Sequence, residues 1–222
     1  ARSGRAEPLV VVTVTPQHWT TPSMARVDAE FQAWATGQGE AALHQAQDVL
    51  AVKAPDLDVT YRQVAGRSVP AALARAWSAL QPHLDQARRW HIRLGLETGY
   101  HPHDLPSPAG MAQLLEAVEA EGWRGTLGAW LDTGHSGAQD LLGTALWADW
   151  WAAVDGRWMG VHLHDHQGLR DHLLPGMGVV DFHEVRGRLP LDAAATLEVD
   201  WYFGEDELAQ SLVRLAGWGW LR

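Results

Sequence analysis

Cysteine and asparagine are absent from the 222 residues, and lysine occurs once, as Lys53. The first absence excludes disulfides and thiolate metal sites, so any bound metal must be held by His and carboxylates. The second removes N-glycosylation. Sixteen Arg accompany the lone Lys, which leaves almost no candidate for a Schiff-base lysine and sets aside aldolase chemistry of that kind. No run approaches about 18 consecutive apolar residues, so no membrane span is expected. The formal net charge of −10 opposes a sequence-independent grip on nucleic acid, which needs Lys and Arg to displace phosphate counterions. The chain opens ARSGRAEP, with no initiating Met and no apolar targeting segment. The expectation is an ordinary cytoplasmic protein whose natural start lies outside this sequence.

What is present suits a large core: 46% of the residues are hydrophobic, 20% charged, and 13 are Trp. Residues 1–222 are read as one domain. Strand alternates with helix along most of the chain. Residues 8–15, PLVVVTVT, are rich in β-branched side chains and stop at Pro16, which predicts a strand. Two helical stretches are expected within 23–52, and LDVTYRQV at 57–64 reads as a weakly alternating strand. A helix starting near Ser68 and Pro70 and running to Trp90 follows from Leu73, Trp77, Leu80, Leu84 and Ala87 at helical spacing. HIRLGLE, 91–97, predicts a strand ending in Glu97. Ser107 and Pro108 predict a helix that stops before Gly122. GTLGAWLD predicts a strand ending in Asp132, and a Trp-rich helix is expected over 137–153. In GVHLHD, Val161 and Leu163 alternate with His162 and His164. A loop is expected after Asp165, a short capped helix near Asp181–Arg188, a strand in AATLEVD before Glu198, and a last helix around Leu208–Leu215.

Such alternation means parallel βα units. Glu97, Asp132, His162 and Glu198 end successive strands and are 35, 30 and 36 positions apart, about one unit each. In a closed barrel, side chains of that parity converge at the C-terminal mouth. Three carboxylates and an imidazole suit Mn²⁺, Mg²⁺ or Co²⁺, with Zn²⁺ also within reach. Without a metal, clustered carboxylates would repel and shift their pKa values upward.

The pieces LGLETG, LDTGH, VHLHD, HLLPGMGVVDF and TLEVD together resemble the xylose-isomerase-like TIM barrels, a superfamily of sugar isomerases and epimerases that also holds the endonuclease IV type of AP endonuclease. The resemblance is clearest over 90–200. It implies an α/β TIM (β/α)8 barrel, here either incomplete or with segments missing in its N-terminal half, because 96 residues before Glu97 are too few for the four units the family places there. It implies metal ligands at Glu97, Asp132, His162 and Glu198, and a substrate or second-metal contact at His135. Endonuclease-type members resemble Asp-x-His before the Gly-x-Gly turn, whereas here Arg170 stands in the place of that Asp and Asp171 adjoins His172.

The implied activity is metal-dependent isomerisation or epimerisation of a small sugar or hydroxy-carbonyl compound. Glu97 and Glu198 would move the proton through an enediolate. His135, His164, His172 and Trp130 are the candidate substrate contacts. His101, His103 and His166 are read as loop residues at the pocket mouth, and His44, His83, His91 and His183 as surface or packing residues. Trp147, Trp150 and Trp151 suit helix-to-barrel packing or the contact of a homo-oligomer. Competing readings are an endonuclease IV-like phosphodiesterase using His135, Asp171 and His172 for extra metals, and a noncatalytic metal- or ligand-binding barrel.

Overall fold

The computed structural model describes residues 9–12, 55–100 and 104–221, with residues 55–70 described by backbone alone. The helices expected within 23–52, the end of the first strand, and His18, His44, His101 and His103 lie outside the described residues. Five strands form one parallel sheet in the order β1 (Leu9–Val12), β2 (Arg93–Glu97), β3 (Leu127–Asp132), β4 (Trp158–Leu163) and β7 (Ala194–Leu197). Between them come α1 (Pro55–Trp90), α2 (Pro108–Ala120), α3 (Thr133–Leu141), α4 (Trp147–Val154) and α5 (Phe182–Arg188), and α6 (Glu205–Gly217) follows β7. A two-stranded antiparallel hairpin, β5 (Asp165–Gln167) and β6 (Arg170–Leu173), projects after β4.

Each strand divides its side chains between two faces. Leu94, Leu96, Leu127, Ala129, Leu131, Val161 and Leu163 enter the buried apolar cluster with Leu84, Met111, Leu115, Trp150 and Phe182 from the helices. The opposite face carries Gly95, Trp130 and Gly160. A Cβ on Gly160 would lie 2.2 Å from Trp130 Cζ3, and one on Gly95 2.9 Å from Cε3. The indole therefore lies against backbone on both neighbouring strands, and a side chain at either glycine would displace it. Above that layer, in register, Glu97 pairs with Trp130 and Asp132 with His162.

Four expectations are corrected. Residues 57–64 are helix rather than strand, and α1 runs through Ser68 and Pro70 without starting there. Leu57, Tyr61 and Val64 also satisfy helical spacing, and so short a segment does not decide between the two periods. The Trp-rich helix is two helices, because Gly143 adopts φ 67°, a left-handed conformation that ends α3. The loop after Asp165 contains the β5–β6 hairpin. Elsewhere the local signals hold: Ser107 Oγ accepts from Gly110 N–H at the start of α2, and Asp181 Oδ1 accepts from His183 and Glu184 N–H at the start of α5.

Candidate metal centre

Glu97, Asp132 and His162 come from the ends of β2, β3 and β4, and Glu198 stands one residue past β7. Ligand-type atoms of all four lie within 4.8 Å of one another. His162 Nδ1 is 2.7 Å from Glu97 Oε1, 2.7 Å from Glu198 Oε2 and 3.7 Å from Asp132 Oδ2. One ring nitrogen carries at most one proton and cannot donate to three carboxylates. Accordingly, Asp132 Oδ2 and Glu198 Oε2 are buried without a partner in hydrogen-bonding geometry. Two orphaned carboxylate oxygens, a third carboxylate and an imidazole form a donor set that fits a divalent cation.

The other oxygen of Asp132 is already committed. Its Oδ1 accepts the His135 backbone N–H at 2.8 Å, capping α3, and contacts His164 Nε2 at 2.6 Å. His164 Nδ1 in turn accepts the His172 backbone N–H at 2.8 Å, so the ring proton belongs on Nε2. His164 is fully buried with both nitrogens engaged by protein. It faces Asp132 and stacks on the His172 ring, with centroids 4.4 Å apart. An orienting role towards Asp132 suits this geometry.

A second group adjoins the first. Ligand-type atoms of His135, Asp171 and His172 also lie within 4.8 Å of one another. Asp171 Oδ2 is 3.7 Å from both His135 Nε2 and His172 Nε2. Neighbours in a regular strand point to opposite faces, but His172 has φ 53°. That left-handed residue breaks the alternation, and Asp171 reaches the group despite its shift by one position. His135 Nδ1 lies 3.1 Å from the Thr98 carbonyl, which directs a proton to Nδ1 and leaves the Nε2 lone pair, on the side of Asp171, able to act as a ligand. Trp130 is buried below, its ring edge-on to His162 at a centroid separation of 5.2 Å and its Nε1 without a partner.

Two sets of supporting residues were missed by the sequence reading. In LETG and LDTG the Thr after each acid ties strand ends together. Thr98 Oγ1 accepts the Asp132 N–H at 2.9 Å, and Thr133 Oγ1 accepts the His164 N–H at 3.0 Å and lies 2.6 Å from the His164 carbonyl. The repetition of Leu-acid-Thr-Gly was the available signal. The second is Asp165, fully buried, whose carboxylate accepts N–H groups from His166, Gly176, Gly178 and Val180 at 2.8–3.0 Å. His166, expected at the mouth, is buried against Gly137. His83, His91 and His183 are exposed.

The expected upward shift is corrected for Asp132 and Glu198. Burial raises Asp132, but the imidazoles of His135, His162 and His164 beside it outweigh that effect and hold the carboxyl well below its usual range. The His162 contact likewise holds Glu198 low against partial burial. Burial lowers His162, yet the carboxylates of Asp132, Glu198 and Glu97 around its ring push it up to about 11. In the metal-free protein the stabilisation from protonated His162 is complete below the ordinary value of 6.5 and is lost as the pH climbs through about 11. Metal must displace that proton. About one proton released per ion at pH 7–8, and a tightening of Mn²⁺ affinity of about tenfold per pH unit between pH 6.5 and 8.5, are expected from calorimetry in buffers of different ionisation enthalpy. Affinity independent of pH would remove His162 from the ligand set.

Gly134, in the first turn of α3, tests the packing of the orienting imidazole. A Cβ there would lie 2.2 Å from His164 Cε1. Gly134→Ala is expected to lower stability by about 1–3 kcal/mol and to weaken metal binding, measured by urea denaturation and metal titration of the same variant.

A parallel sheet with helices between its strands, carrying a carboxylate–imidazole group at the C-terminal strand ends, defines an α/β barrel-type protein. The chain belongs to the xylose isomerase-like TIM barrel family, whose model matches residues 11–215. The five described strands form an open portion of such a barrel. Among solved structures, a D-tagatose 3-epimerase-like protein aligns with a TM-score of 0.54 at 16% identity over 95% of this chain and 86% of its own. A 3-keto-D-glucoside 4-epimerase from E. coli aligns with a TM-score of 0.49 at 15% identity over 68% and 55%. At these identities the D-tagatose 3-epimerase-like match is a likeness of fold. A curated universal stress protein from Mycobacterium tuberculosis is 32% identical over 109 residues, 46% of this chain. The chain spans 37% of that relative's length. No helix among the described residues is long and apolar enough to cross a membrane.

Proposed function

We propose that the protein is a divalent-metal-dependent isomerase or epimerase of a sugar or related hydroxy-carbonyl compound. The observation that carries this reading is His162 Nδ1 at 2.7 Å from carboxylate oxygens of both Glu97 and Glu198, beside the orphaned Asp132 Oδ2. Glu97, Asp132, His162 and Glu198 would hold Mn²⁺, Mg²⁺, Co²⁺ or Zn²⁺. When bound, the ion supplies Lewis-acid polarisation of a carbonyl. Two carboxylates at one centre are what transfer of a proton away from and back to carbon requires. Glu198, with its side chain 42% exposed against 7% for Glu97, meets the substrate first and removes the proton alpha to the carbonyl. Glu97 returns it. His135 Nε2 and the half-buried His172 orient substrate oxygens, Trp130 floors the pocket, and His164 keeps Asp132 in place.

The test is metal content per chain after chelation and reloading with Mn²⁺, followed by solvent-deuterium incorporation into D-fructose and D-tagatose. About one ion per chain and incorporation at carbon alpha to the carbonyl are expected. His162→Ala should lose metal and exchange together, and full retention of both would sink the site. A second reading is favoured by the adjoining His135–Asp171–His172 group: a metal-dependent phosphodiesterase. Two or three Zn²⁺ per chain with cleavage of an abasic-site oligonucleotide would replace the isomerase with that activity. Metal binding with neither reaction would leave a ligand-binding barrel.

A further inference from the structure

The sequence carries Leu-acid-Thr-Gly twice, and the next residue is Tyr100 after LETG and His135 after LDTG. The strands that lead into the two pieces, β2 and β3, are paired. The two rings meet edge-on, with centroids 5.7 Å apart. Tyr100 thus holds the same place in the repeat as a residue assigned above to the substrate, but its polar end is committed elsewhere. Its hydroxyl donates to the Leu169 carbonyl at 2.6 Å. Gly168 and Leu169 form the turn between β5 and β6, closed by the pairing of Gln167 with Arg170. Gly168 supplies the positive φ of 62° that suits the first position of a two-residue hairpin turn. Tyr100 therefore ties the end of β2 to the tip of the hairpin that carries Asp171 and His172.

Both ends of this tie are fixed. At its base, Gln139 Nε2 from α3 donates to the Gly99 carbonyl at 2.6 Å. At the hairpin, Arg170 donates to the Tyr202 hydroxyl at 2.6 Å, and the Asp200 N–H donates to the His172 carbonyl at 3.0 Å. Burial and the charge of Asp171 raise the Tyr100 phenol above its ordinary value, so at neutral pH the hydroxyl keeps its proton and remains a donor. What the hairpin holds is close-set: Asp171 Oδ2 is 3.7 Å from the Nε2 atoms of His135 and His172, and the His135 and His172 rings are edge-on at 5.9 Å. We propose that Tyr100 is a positioning residue, which through the Leu169 carbonyl fixes the β5–β6 hairpin so that Asp171 and His172 stand against His135. The inference rests on the isomerase or epimerase reading for its effect on rate, because His135 and His172 orient substrate there. Displacing such groups by about 1 Å costs up to about 10²-fold.

Tyr100→Phe tests this, because it keeps the ring beside His135 and deletes only the hydroxyl. In the Mn²⁺-loaded protein, kcat/KM for solvent-deuterium exchange into D-fructose or D-tagatose is expected to fall about 10- to 100-fold at unchanged metal content. In the Mg²⁺-loaded protein, the imidazole cross-peaks of His135 and His172 in ¹H–¹⁵N NMR should shift or split, while those of the exposed His83 and His183 stay in place. Tyr100→Leu, which also removes the ring from His135, should lose at least as much rate. Parent-like His135 and His172 signals in Tyr100→Phe overturn the inference whatever the rate. So does a fall in kcat/KM matched by an equal fall in metal content, which would be loss of the centre itself. Failure of the isomerase reading shows separately, as absent exchange in the parent, and the imidazole signals then decide the positioning by themselves.

Discussion

Glu198→Gln is expected to slow exchange of a substrate's alpha proton with solvent deuterium by about 10²–10⁴-fold, the range for loss of a positioned acid or base, while metal remains bound. The substitution keeps the side chain's size and one oxygen but removes the basic carboxylate. In the parent, the His162 contact holds the Glu198 carboxyl below its ordinary value, so it is ionised and ready to accept a proton at neutral pH. Glu97, Asp132 and His162 remain as three ligands, and metal affinity should fall far less than the rate. The decisive measurement pairs metal content with single-turnover exchange on one preparation. Unchanged exchange would take Glu198 out of the proton path. Loss of metal in proportion to loss of rate would reduce it to a ligand.

Asp165→Asn should destabilise the protein by about 2–6 kcal/mol although it changes a single atom. The two oxygens of the buried carboxylate each accept two N–H groups: Oδ1 from His166 and Val180, Oδ2 from Gly176 and Gly178. An amide puts its NH₂ against one of those pairs, which leaves two buried donors unsatisfied at about 1–3 kcal/mol each. Rotating the amide exchanges one pair for the other and relieves nothing. No side chain can move in to help, because a Cβ on Gly178 would already lie 2.1 Å from the His166 carbonyl and 2.5 Å from Asp165 Oδ1. The midpoint of urea denaturation should fall with the slope unchanged. A variant as stable as the parent would show that the turn from Pro175 to Val180 does not depend on this carboxylate.

The parallel βα order and the meeting of Glu97, Asp132, His162 and Glu198 were legible because the sequence carries two periods at once. Alternation within GVHLHD and LGLE sets the face, and the 35-, 30- and 36-residue steps set one residue per strand end. Helix starts were legible where a cap is local, as at Ser107 and Asp181. Local pattern failed where two periods fit one stretch, as at 57–64, and where a single left-handed residue redirects the chain, as at Gly143 and His172. Nothing in the run Arg170-Asp171-His172 announces that both Asp171 and His172 can face His135.

The sequence by itself determined the ligand chemistry: without cysteine, a metal can meet only oxygen and imidazole nitrogen, and strand parity points those groups one way. Only the tertiary structure decided how each group is occupied. It buried His164 against Asp132, left Asp132 Oδ2 free while filling Oδ1, and placed imidazoles among the carboxylates so that Asp132 and Glu198 are held low. The physical reason is distance. A hydrogen bond or a charge acts over a few ångströms, and residues 30 to 100 positions apart come that close only when parallel strands bring their ends together.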